Sequence, residues 1–170
     1  MNAADLGLLL IRAVVGLTFA AHGAQKAFGW WGGPGWSGWS GAVGRMGFRP
    51  ATPWAVIAII AELVGGLLLA VGLLTPLAAM ALVGQSVVII GKAHWAKGFW
   101  NRDGGFEFPL SLGAAAASIG LIGPGALCLD VALAIVPGPE LRVGLVAVGL
   151  VGGLVAYATT LMAGPPPAAG

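Results

Sequence analysis

Between positions 54 and 74 the chain reads WAVIAIIAELVGGLLLAVGLL, 21 residues with one ionisable side chain, Glu62. At about 1.5 Å per residue such a run forms a helix of roughly 30 Å, the thickness of a bilayer's hydrocarbon core. Hydrocarbon offers no partner to a backbone N–H or C=O, so a segment crossing it must be a helix or part of a closed barrel. Four more apolar runs cover residues 6–27, 76–90, 106–122 and 141–162. Charged residues are 8% of the chain and hydrophobic residues 58%, with mean hydropathy +0.95. A soluble domain carries about 25% charged residues, which leaves this chain too little polar surface to fold in water. The fold class is therefore all-α: a polytopic membrane four-helix bundle with a fifth, C-terminal transmembrane helix.

The punctuation fits that count. "LLTP" at 73–76 makes a tight hairpin between the second and third runs, and "GPPPAAG" at 164–170 reads as a flexible tail. "GPGALCLDVALAIVPGPE", residues 123–140, has an apolar core too short to cross and is expected at the interface or as a helix extension. Three parts result: a bundle over 1–137, an added helix over 138–163, and the tail. The first run is a retained helix rather than a signal peptide, because Asp5 is the only charge before it and Arg12 lies inside it. Small residues, among them Gly65, Gly66, the 113–117 stretch, Gly149, Gly152 and Gly153, prepare close helix contacts. "SGWSGAVGRMGF", residues 37–48, is expected as a short interfacial helix.

Lys26, Arg45 and Arg49 follow the first run and Lys92, Lys97 and Arg102 follow the third, while the opposite loops hold Arg142 alone. The positive-inside rule puts the two basic loops in the cytoplasm, the N-terminus outside and the C-terminus inside, with the plasma membrane of a bacterium or archaeon as the location. The seven tryptophans gather at that same face and are read as an aromatic belt at headgroup depth. A net charge of +2 without a basic block argues against nucleic acid. A single cysteine, Cys128, permits neither an intrachain disulfide nor a C-x-x-C pair.

Ionisable groups inside the spans carry the functional signal, since each costs several kcal/mol unless paired or hydrated. Arg12 and Glu62 are the clear cases, and adjacent antiparallel helices are expected to bring them together as an ion pair. On a helix turning about 100° per residue, Lys26 falls some 40° and His22 some 80° from Arg12, so the three share a face. His22, Gln25 and Lys26 thus form the mouth of a polar site within the bundle, the alternative being that His22 and Lys26 snorkel to headgroups. In "GKAHWAKGFWNRDGGFEFPL", residues 91–110, His94, Lys97, Asp103 and Glu107 lie on the same side, Glu107 at a helix N-terminus that suits a carboxylate.

The stretches "LIRAVVGLTFAAHGAQKAFG", "AELVGGLLLAVGLLTPLAA" and "HWAKGFWNRDGGFEFPL" resemble the DoxX family of membrane proteins, over about residues 6–135. The resemblance implies a four-helix membrane bundle and carries onto Arg12, His22, Gly23, Gln25, Lys26, Glu62, His94, Gly98, Phe99, Gly105 and Glu107. It also implies a link to quinone, since the family takes its name from a subunit of a quinol oxidase and thiosulfate:quinone oxidoreductase. The expected catalytic residues are Arg12, His22, Lys26, Glu62, His94 and Glu107, and the expected quinone-binding residues are His22, Gln25, His94 and Trp95. Haem is disfavoured although His22 and His94 share a face, and no metal is expected. The chain carries neither a G-x-G-x-x-G nucleotide fingerprint nor iron–sulfur cysteines, so electrons must come from a separate soluble or membrane redox partner. A non-catalytic anchor, an assembly subunit or a small transporter is the alternative function, and a homo-oligomer is compatible with either.

Overall fold

The computed structural model describes residues 2–162, so the tail expected at 164–170 lies outside the described residues. It is helical, with no strand among the described residues. We number the helices α1 (Ala3–Phe28), α2 (Gly35–Arg45), α3 (Ala51–Val71), α4 (Thr75–Lys97), α5 (Glu107–Ile122), α6 (Leu129–Ala132) and α7 (Pro139–Met162). Of these, α1, α3, α4 and α7 are long and apolar enough to cross a membrane. The 16-residue α5 is shorter than a usual span, about 24 Å at 1.5 Å per residue.

Helix starts follow their local chemistry. Asn2 Oδ1 accepts from the Asp5 N–H and Asp5 Oδ2 from the Asn2 N–H, each at 3.0 Å, closing a capping box that satisfies donors of the first turn. At the α3–α4 turn, Gly72 and Leu74 take left-handed backbone conformations, with φ of +67° and +49°. The start of α4 is capped from far along the chain: Asp130 Oδ1 accepts from the Leu74 N–H at 2.6 Å and Oδ2 from the Thr75 N–H at 2.9 Å. Residues 123–138, with α6, thereby fold across the end of the bundle rather than crossing it.

Glycines set the spacing between helices. A Cβ on Gly16 would stand 2.5 Å from the Gly66 carbonyl oxygen, and one on Gly66 would meet Gly16 in the same way, so α1 and α3 touch backbone to backbone. Gly149 and Gly153 of α7 likewise abut Met80 and Gly84 of α4, and Gly113 of α5 meets Ser86. Such seams are how helices gain packing energy in lipid, where burial of apolar surface offers little. The main packing partners of α7 are α4 and α5. The buried core, with Val15, Phe19, Leu69, Leu82, Ala116 and Ile119, lies between α1, α3, α4 and α5. The segment expected as an interfacial helix forms α2, whose Val43 packs with Phe48 and Ala55.

Candidate functional site

Glu62 is the deepest charge in the bundle. It has no exposed surface and sits in a π-helical turn, Ile60–Val64, that interrupts α3. A π-turn inserts a residue into the helical ladder, and such turns recur at functional sites. Glu62 Oε1 receives two donors, Lys26 Nζ from α1 and Gln85 Nε2 from α4, the latter at 3.0 Å. Oε2 is buried and accepts from no group among the described residues. Lys26 Nζ also stands 4.5 Å from the centroid of the Trp39 ring, whose indole N–H donates to the Ala55 carbonyl at 3.2 Å. The ammonium is thus held by a carboxylate on one side and a π-face on the other.

This cluster forms one wall of a cavity of about 590 Å³ whose lining is otherwise mostly apolar. His22 and His94 also line it. His94 belongs to a second π-turn, Ile90–His94, and its Nδ1 lies 2.7 Å from the Gly104 carbonyl oxygen. A carbonyl only accepts, so Nδ1 carries the hydrogen and a neutral ring keeps Nε2 as an acceptor. His22 Nδ1 lies 3.2 Å from Gln25 Oε1, and its ring meets Phe108 edge-on. The site therefore offers donors at Lys26 and Gln85, an unfilled acceptor at Glu62 and an acceptor at His94. That set suits a ligand whose polar head carries carbonyl or hydroxyl oxygens. Among the described residues no group of three or more His, Cys, Asp or Glu is placed to hold a metal ion.

The expected Arg12–Glu62 ion pair does not form, and the reason is register. Gly23 abuts Leu63 while Gly16 abuts Ala70, so moving seven residues back along α1 moves seven forward along α3. Glu62 consequently lies level with Lys26, and Arg12 with the end of α3. Arg12 is buried at that far end and donates to the backbone carbonyls of Ala70, Pro124 and Leu127. It fastens the 123–138 segment to α1 and α3.

Other expected site residues are distributed around the cavity rather than in it. Gln25 supports His22 from outside the lining. Trp95 is exposed and stacks on Phe106 at 5.1 Å, away from the cavity lining. Glu107 Oε2 accepts from the Asn101 N–H at 2.9 Å, which orders the loop before α5. Two tryptophans of the expected belt, Trp39 and Trp54, instead line the cavity. Sequence reasoning missed Gln85; a lone amide in "LVGQSVV" was the available signal.

The DoxX family model matches residues 7–95, a little over half the chain, running from within α1 to Trp95 of α4 and leaving α5 and α7 outside. No curated protein and no solved structure matches the chain.

Proposed function

The chain belongs to the DoxX family of integral membrane proteins, and we propose that it is the membrane subunit of a quinone-linked oxidoreductase, the cavity at Glu62 receiving the quinone head and a separate protein supplying electrons. The observation that carries this reading is the orphaned Glu62 Oε2. A buried carboxylate oxygen without a donor costs stability, and a ligand hydroxyl at that place removes the cost. A quinol head brings hydroxyls, and its oxidised form brings carbonyls that Lys26 Nζ and Gln85 Nε2 are chemically suited to hold. When bound, the quinone supplies two-electron, two-proton redox capacity.

The residues of this chain then have separate tasks. Glu62 takes or returns a proton at Oε2. Lys26 balances its charge and keeps 14% of its own side chain exposed. His94, held by Gly104, offers Nε2 as a second proton acceptor, and the apolar remainder of the lining keeps bulk water from the head. We place the cavity's polar end on the cytoplasmic side of a bacterial or archaeal plasma membrane, with the N-terminus outside. Lys26, Arg45, Arg49, Lys92, Lys97 and Arg102 at that end support the placement.

The test is the lipid extract of protein purified in mild detergent, combined with titration of a quinone carrying a ten-carbon tail. Near-stoichiometric retention is expected, with affinity falling about tenfold or more in Glu62→Gln and Gln85→Leu, the cost of one charge-assisted or buried hydrogen bond. Glu107→Gln is expected to bind as wild type. Absence of quinone from the extract together with no saturable binding would overturn the reading.

A further inference from the structure

The cavity has three apolar walls. From α3 it is lined by Ile57, Ala58 and Ala61, from α4 by Met80, Ala81 and Gly84, and from α7 by Val148, Gly149 and Gly152. Within each helix these residues share one face, by their spacing of three or four positions or one. Yet α7 packs chiefly on α4 and α5, with little contact to α3. The faces of α3 and α7 are therefore two banks of a groove floored by α4, with Glu62 and Gln85 at its inner end.

The groove is closed towards the loops. There Gly47, in the link from α2 to α3, reaches α7, where a Cβ on it would stand 3.2 Å from the Thr160 carbonyl oxygen. Deeper in the bundle the banks stay apart, and Ile57, Val148 and Gly152 are exposed there. Gly152 lies ten residues from the α7 end at Met162, about 15 Å at 1.5 Å per residue, which is hydrocarbon depth for a spanning helix.

Gly152 itself separates packing from access. Gly149 and Gly153 are glycines because α4 would collide with any Cβ, whereas a Cβ on Gly152 would meet nothing within 4 Å. Helix–helix contact gives no reason for a glycine at 152 any more than at 144, but of the two only Gly152 lines the cavity.

The geometry points to a lateral portal between α3 and α7 through which a ligand enters from the bilayer, its head at Glu62 and its hydrocarbon tail lying along Ile57, Val148 and Gly152. This deepens the proposed quinone reading and rests on it. The occupant of the groove is the tail of the ligand whose head fills the cavity, because the apolar banks and the polar cluster of Lys26, Glu62 and Gln85 line one and the same cavity. The ligand class is accordingly a lipid-borne quinone with an isoprenoid or alkyl chain, not a water-soluble one.

The experiment uses two probes on the full chain in detergent: a substituted benzoquinone with a ten-carbon tail, and the same head without the tail. Gly152→Leu and Ile57→Trp fill the groove from opposite banks, and Gly144→Leu, on α7 where a Cβ also meets nothing, is the control. Both groove variants are expected to weaken the tailed quinone by about tenfold or more, since a bulky side chain occupies the tail's place and displaces it from its van der Waals contacts with the banks. Their affinity for the tail-less head is expected to equal that of wild type, and Gly144→Leu to change neither. Unchanged binding of the tailed probe in both groove variants overturns the portal. Equal loss of both probes overturns it too, because the banks would then shape the head site. If the wild type binds neither probe, the quinone reading falls and the portal with it.

Discussion

Burying a charge as deep as Glu62 is costly unless a partner and hydrogen bonds replace its water, and Lys26 and Gln85 supply both on one of its oxygens. Removing one member of a buried pair leaves the other charge stranded. Glu62→Gln is therefore expected to destabilise the protein by about 3–5 kcal/mol. Lys26→Met combined with Glu62→Gln should cost less than the sum of the two single changes, because no charge remains to be stranded. Unfolding in mixed micelles, followed by circular dichroism, measures the cycle. The parallel cycle of Arg12→Met with Glu62→Gln is expected to be additive within about 0.5 kcal/mol, since the two residues share no partner. Coupling in the Arg12 cycle and none in the Lys26 cycle would mean that the register of α1 on α3 is wrong. Hydropathy alone exposes Arg12 and Glu62 as costly charges, and helical periodicity puts Lys26 on the face of Arg12. Which cation meets Glu62 depends on register, and register is set where Gly16, Gly23 and Gly66 let two backbones touch. Those glycines are visible in the sequence, but their pairing is not.

At the scale of the helix, two departures from ideal geometry build the site. The π-turns at Ile60–Val64 and Ile90–His94 each contain a residue that lines the cavity, Glu62 in one and His94 in the other. No propensity signals a π-turn, because it is imposed by neighbours; a reading by 100° steps therefore drifts past such a position. The far end of the bundle is also held by long-range chemistry. Asp130 is buried and serves as the cap of α4 from 55 residues away, a relation that local capping rules do not detect. Asp130→Ala orphans the N–H groups of Leu74 and Thr75 at the start of a spanning helix. The expected loss is about 1–3 kcal/mol for each orphaned donor. Asp130→Asn keeps one side-chain acceptor and should lose about half as much. Thermal unfolding in detergent checks the order wild type, Asn, Ala. An Ala variant as stable as wild type would show that the turn needs no cap.

For the whole molecule, spans, hairpin and the polar end of the bundle were legible because bilayer thickness and charge cost act on sequence directly. The path of 123–138 was not, since its place depends on carbonyls that Arg12 finds only after the helices pack. Orientation is a property of the molecule as a unit, and it decides which compartment meets the cavity's polar end. Six Lys and Arg residues follow α1 and α4 or close those helices, whereas the other end has Arg12, held by carbonyls, and Arg142, which donates to the Ile122 carbonyl. Both arginines at that end are thus occupied with helix ends, and the excess of free basic side chains lies with the cavity. With Cys128→Ser as background, single cysteines at Gly138 and Asn101, exposed at opposite ends, read the orientation. An impermeant maleimide is expected to label Gly138→Cys in intact cells and Asn101→Cys only after the membrane is opened. On the proposed function, that outcome puts the electron donor's approach to the cavity on the cytoplasmic side. The reverse pattern would invert the bundle and turn the Glu62 end outward, so that protons exchanged there would come from the outer compartment and the redox partner would have to be sought on that side.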